Sequence, residues 1–166
     1  MSVLYAVLAL VALQRLVELI YAERNTRALL AKGAIEYAAW QHPLFVLLHA
    51  FWLVGMLTFV PAQAAPNWWL LGVYLLLQGV RIWVILTLGP FWTTRIISLA
   101  GAPLVRSGPY RWIRHPNYAI VAAEIAILPL AFGSIIIAVV FSVLNAVLTV
   151  VRIRAEEEAL SSRYSS

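Results

Sequence analysis

Five apolar stretches, at roughly residues 3–21, 43–60, 68–88, 118–131 and 134–151, constrain this chain more than any other feature. Inside lipid every backbone amide and carbonyl must find a partner within the protein, so stretches of this kind must be helices. Composition agrees: 63% of the 166 residues are hydrophobic and 11% are charged, with a mean hydropathy of +0.88. These values predict an all-α integral membrane protein of about five helical segments. The fourth stretch is short, reaching about 20 Å across a core of about 30 Å, so it is tilted, re-entrant or extended upstream. Pro129 and Gly133 predict a tight turn that makes the last two segments a hairpin.

The connections differ sharply in charge. Arg24, Arg27 and Lys32 follow the first stretch, Arg95, Arg106, Arg111 and Arg114 the third, and Arg152, Arg154 and Arg163 the last. PAQAAPN (61–67) and AFGS (131–134) carry no charge. Basic residues favour the cytosolic side, which predicts an amino terminus outside, a carboxyl terminus in the cytosol and both charged loops cytosolic. The net charge of +5 therefore reflects topology and not nucleic-acid binding. No cleavable signal is visible, so Met1 is expected to lead directly into the first span. The absence of cysteine excludes disulfides, thiolate nucleophiles and cysteine metal sites. The chain reads as one domain over 1–166, with a three-helix part (1–88) and a part holding a long loop, the hairpin and the last helix (89–166).

Polar groups on the spans are few and patterned. Ser142, Asn145, Thr149, Arg152 and Glu156 fall within an arc of about 80° on the fifth helix, a stripe that must face protein or a wet cavity. Tyr74, Gln78 and Arg81 repeat the pattern on the third, either lining the same pocket or bonding between helices. Arg15 and Glu18, three apart, pair with each other or snorkel to the headgroups. Glu124 in the fourth segment needs a cation or a proton, and Arg81 is one candidate partner. His42 and His49 lack metal-ligand spacing and read as packing or interfacial residues. Trp40, Trp52, Trp68, Trp69, Trp83, Trp92 and Trp112 mostly sit near span ends, as an aromatic belt requires.

Two polar clusters close the feet of the hairpin: GPYRWIRHPNY (108–118) and RIRAEEEAL (152–160). The first combines turn formers with cations and directed hydrogen-bonding groups, beyond what a lipid-touching basic turn requires. In the second, Arg152 is expected to pair with Glu156 one turn on, while three glutamates near a helix carboxyl end call for a cation nearby.

Arg114, His115, Pro116 and Tyr118, followed by Arg152, Glu156 and Glu157, resemble the RHPxY and R-x-x-x-E-E elements of the isoprenylcysteine carboxyl methyltransferase family. RLVELIYAERN (15–25), GAIEYAAWQHP (33–43) and RIWVILTLGPFWTTRI (81–96) extend the likeness to a bacterial branch encoded beside type III polyketide synthases. The resemblance implies S-adenosylmethionine bound from the cytosol and a lipophilic acceptor arriving sideways through the bilayer. It implies a cradle of Val105, Tyr110, His115, Asn117 and Tyr118, with Glu157 toward the cofactor and Arg152, Glu156 and Asn145 toward the acceptor. Methyl transfer is an in-line displacement that asks the protein for alignment and water exclusion and calls for no metal. A carboxylate acceptor needs only a cation such as Arg152, whereas a phenol or enol gains from a base such as Glu156. The expected activity is O-methylation of a polyketide-type lipid such as an alkylpyrone or alkylresorcinol. Alternatives are carboxyl methylation of a prenylated cysteine or methylation of another amphiphile and, in another class, a small proton-coupled transporter using Glu18.

Overall fold

Each apolar stretch forms a helix, and the first and last helices run on past their apolar ends. A computed structural model describes residues 2–161, so expectations resting on Met1 and Arg163 lie outside the described residues. The helices are α1 (Val3–Leu30), α2 (Gln41–Phe59), α3 (Trp68–Leu88), α4 (Pro116–Ala131) and α5 (Ile135–Ser161). Ser2 and Asn67 cap α1 and α3 by accepting from the Tyr5 and Leu70 amides. Pro116 opens α4 at a position where its missing amide costs nothing. Polar positions sustain the α1 extension, where Glu23 pairs with Arg27 at 2.9 Å.

Four of these helices are long and apolar enough to cross a membrane: Val3–Leu30, Gln41–Phe59, Trp68–Phe91 and Ile135–Ala159. The protein is an all-α integral membrane protein. The fifth expected span, α4, has 16 residues and begins two residues upstream of its apolar stretch, giving about 24 Å. It packs between α3 and α5 and buries Ile120, Val121, Ile125 and Leu128, so protein rather than lipid surrounds much of its length. A short 3-10 turn, Gly108–Arg111, packs on α3 ahead of it. The expected hairpin turn is present: Gly133 adopts φ +75° and the Ser134 amide donates to the Pro129 carbonyl at 2.9 Å.

At one end, the connection α1–α2 forms strand β1 (Ile35–Tyr37) and the connection α3–α4 forms β2 (Ile96–Ser98). They pair antiparallel, Ile35 opposite Ser98 and Tyr37 opposite Ile96, and both touch α5. This pairing ties the two charged loops together and was absent from the sequence expectations. At the other end the Asn67 amide donates to the Ala131 carbonyl at 2.7 Å. The main core, built on Leu4, Leu8, Trp52, Met56, Ile125 and Leu128, lies nearer that uncharged end. Trp52 and Trp92 are buried in packed clusters and not in a belt, whereas Trp40, Trp68, Trp69, Trp83 and Trp112 are exposed.

A four-charge cluster crosses the bundle below the loops. Glu124, fully buried, accepts from Arg15 Nη2 at 2.6 Å and Arg81 Nη1 at 3.2 Å. Glu18 receives Arg81 Nε and Nη2 at 2.7 and 2.6 Å, and Arg15 Nη1 at 3.1 Å. Gln78 donates to Glu124 at 2.8 Å, and Gln14 reaches both Gln78 and Glu18. Arg81 is thus a partner of Glu124, as expected. Arg15 keeps its expected bond to Glu18 but points into the bundle instead of snorkelling, because Glu124 offers a second carboxylate that the headgroups cannot.

Two substitutions test this arrangement. Glu124→Leu leaves two buried guanidinium groups short of a counter-charge and should cost about 3 kcal/mol or more, read as a lowered unfolding midpoint in detergent. Glu23→Ala, at a more exposed pair, should change stability by about 1 kcal/mol at most. At Gly108, φ is +54° and an added Cβ would stand 2.7 Å from Thr87 Oγ1. Gly108→Ala should therefore loosen the turn and speed trypsin cleavage at Arg111 and Arg114. Gly79→Ala, where an added Cβ meets nothing within 4 Å, should leave cleavage unchanged.

Candidate functional site

The charged end encloses a cavity of about 1410 Å³ that descends between α1, α2 and α4. Its upper wall comes from the two motif clusters, which the hairpin geometry places at one level. Pro116 sets the start of α4, and from that first turn the His115 and Tyr118 rings stack at 5.4 Å between centroids, 22° from parallel. The Tyr118 hydroxyl donates to Glu156 Oε2 at 2.6 Å and accepts from Arg152 Nε at 2.9 Å. His115 Nδ1 lies 3.6 Å from the same Glu156 oxygen. A direct Arg152–Glu156 pair, expected from their one-turn spacing, is not among the ion pairs of the described residues. Instead the Tyr118 hydroxyl sits between them and bonds to both.

Arg152 is anchored further. Its Nη2 donates to the Thr94 carbonyl at 2.8 Å, and its guanidinium lies 5.2 Å from the Phe45 ring centroid. One arginine therefore fastens α5 to the β2 loop, α4 and α2. His42 Nε2 meets Thr94 Oγ1 at 3.0 Å, while Arg95 joins Glu36 and Glu23 beside it. Thr94 and Phe45 escaped the sequence expectations. Phe45 was findable, since His42, Phe45, Val46, His49, Ala50 and Leu53 follow a helical period on α2. Thr94 was not, because what it offers Arg152 is a backbone carbonyl.

Val105, Tyr110, His115, Asn117, Tyr118, Arg152, Glu156 and Glu157 all line this cavity. Burial, with Glu156 nearby, pushes the Tyr110 phenol well above its ordinary range, so it remains a hydrogen-bond donor at neutral pH. Asn117 Oδ1 accepts a long bond, 3.5 Å, from Arg81 Nη1, which connects the motif turn to the buried charge cluster. Asn145 departs from expectation. It is 1% exposed, does not line the cavity, and its Oδ1 has no partner among the described residues. Seven residues before Arg152, it lies about 10 Å deeper, where α5 packs on α2 and α4. Thr149 is the stripe member between them that does reach the cavity. His115 and Tyr118, expected toward the cofactor, and Arg152 and Glu156, expected toward the acceptor, meet in one place, because the Tyr118 hydroxyl bonds both Arg152 and Glu156. Glu18, the residue that suggested proton exchange, is held by two arginines and Gln14.

Residues 70–162 match the isoprenylcysteine carboxyl methyltransferase (ICMT) family. An uncharacterized protein, YpbQ, of Bacillus subtilis is 36% identical over 160 residues, covering 94% of this chain and 95% of the relative. An uncharacterized protein of Haemophilus influenzae is 29% identical over 143 residues, covering 83% of each. No solved structure matches. The matched region spans more than half of the chain and contains both motif clusters that meet at the cavity, so this membrane methyltransferase belongs to the isoprenylcysteine carboxyl methyltransferase family.

Proposed function

We propose that the chain transfers a methyl group from S-adenosylmethionine to an oxygen of a long-chain acceptor, a polyketide-type lipid such as an alkylpyrone or alkylresorcinol. The observation that carries this reading is the joining of His115, Tyr118, Glu156 and Arg152 at one end of a cavity that also holds an apolar arm lined by Leu16, Leu19, Val46, Leu53 and Val121. The residues suit the cofactor. Glu156 and Glu157 offer negative charge to its amino and sulfonium groups, and the stacked His115 and Tyr118 rings offer aromatic faces. Arg106, Arg111 and Arg114 line the same cavity and suit a carboxylate. When bound, S-adenosylmethionine supplies a methyl group on a positively charged sulfur.

The chain's own part is placement and water exclusion. Tyr118 holds the Glu156 carboxylate toward the cofactor side, and Arg152, fixed by Tyr118 and Thr94, guards the boundary with the acceptor arm. Leu16, Leu19, Val46, Leu53 and Val121 line the deeper part and suit an alkyl chain. Leu16 of α1 and Val46 of α2 line the cavity and are exposed, which supports lateral entry from lipid between these helices. Asn145, away from the cavity, takes a packing role in this scheme. The charged end faces the cytosol, following the distribution of basic residues, in the inner membrane of a bacterium. A second reading, carboxyl methylation of a prenylated cysteine, draws on the family match and on Arg152 as a partner for a carboxylate.

Calorimetry on purified protein tests the reading. S-adenosylhomocysteine should bind saturably, and His115→Ala should weaken it about tenfold, or about 1.4 kcal/mol for a lost stacking and bonding ring. A silent titration with folded wild-type protein would overturn the assignment. Lipid extracts incubated with labelled methyl donor should show the label in a methoxy lipid.

A further inference from the structure

The α2 wall of the cavity carries two histidines, and only one is already engaged through its Nε2. His42 Nε2 meets Thr94. His49 lies one turn deeper than Phe45, the ring beneath the Arg152 guanidinium. Its Nδ1 stands 2.8 Å from the Phe45 carbonyl oxygen. A carbonyl oxygen can only accept, so Nδ1 carries the hydrogen, and in the neutral ring Nε2 holds a lone pair. That nitrogen has no hydrogen-bond partner among the described residues, and His49 lines the cavity. The carboxylates at this depth are taken. Glu18 accepts from Gln14, Arg15 and Arg81, and Glu124 from Arg15, Gln78 and Arg81.

We propose that His49 Nε2 accepts the proton of the acceptor's hydroxyl, which makes the acceptor a lipophilic phenol and not a group already ionised at neutral pH, such as a carboxylate or the acidic enol of a pyrone. The proposal rests on the methyltransferase reading above and narrows its substrate. A carboxylic acid is already ionised at neutral pH and has no proton to give, and an imidazole lone pair facing it repels. A phenol is un-ionised and gains from a neighbouring base. In the step, the acceptor O–H bond breaks and its proton goes to Nε2. The oxygen electron pair forms the new O–CH₃ bond, and the CH₃–S bond breaks with its pair left on sulfur as a neutral thioether. The imidazolium then returns its proton to water through the open charged end. The charged groups that act on the ring electrostatically are Arg15 and Glu18 of α1 and Arg81 of α3, with Arg152 of α5 one turn above over Phe45.

The test uses full-length protein, pentadecylresorcinol as the phenol and N-acetyl-S-farnesylcysteine as the carboxylate. Wild-type protein should methylate the resorcinol in preference. His49→Phe, which keeps a ring, and His49→Asn, which keeps a donor for the Phe45 carbonyl, should lower kcat for the resorcinol about 100-fold near pH 7. Both should bind S-adenosylhomocysteine as the wild type does. In the absence of methyl donor, calorimetry should show resorcinol affinity falling several-fold in both variants. Raising the pH toward the phenol's own pKa of about 10 should shrink the kcat deficit, because the acceptor then ionises without help. A structural role for His49 predicts no such rescue. Unchanged kcat in the variants, a deficit constant with pH, or loss of S-adenosylhomocysteine binding in both variants would overturn the proposal. Methylation of the farnesylcysteine alone, or of neither probe, would remove the hydroxyl acceptor. Failure of the wild type to bind S-adenosylhomocysteine would instead bring down the methyltransferase reading beneath it.

Discussion

Charge buried among membrane helices persists only where each group meets its opposite, and here two arginines and two glutamates meet in one place. Arg15, Glu18, Arg81 and Glu124 come from α1, α3 and α4, and none can leave without stranding another. The cluster therefore locks the relative rotation and depth of three helices in a way that leucine packing, which tolerates small slips, does not. It also reaches the site. Arg81 touches both Glu124 and Asn117, so the first turn of α4, with His115 and Tyr118, is held relative to the cluster. The cavity's floor and its motif wall share one set of ionic contacts.

The upper wall depends on a different economy of bonds. Three short segments, β1, β2 and the 3-10 turn before α4, hold the charged loops in place, and Arg152 spans the gap between them and α5. Because Tyr118 gives its hydroxyl to Glu156 while receiving Arg152, a carboxylate and a guanidinium stand near each other without neutralising one another directly. In the proposed function, that separation leaves both signs of charge for a ligand carrying both, as an amino acid sulfonium does.

Much of this was legible in residue order. Lipid admits few backbone conformations, so helix number, the hairpin turn at Gly133 and the grouping of basic residues at one end follow from hydropathy and charge alone. The motif clusters were legible for the same reason: polar residues in an apolar chain are conspicuous, and seven of the eight polar residues singled out for the site line one cavity. The eighth, Asn145, shares a helical stripe with Arg152, yet a stripe specifies only an angle. Depth along the helix decides whether a side chain meets the cavity or the packed core, and that depends on where neighbouring helices diverge.

By itself, then, the sequence determined a membrane helical bundle, its breaks and the residues too polar to face lipid, because each of these is a local transfer or turn preference. Tertiary structure alone decided which polar groups meet. Glu124 has two arginines 43 and 109 positions away in the chain, Arg152 bonds a backbone carbonyl that no composition reveals, and the short α4 is sheltered by its neighbours. Such pairings follow from distances between elements far apart in sequence, and hydropathy carries no information about them.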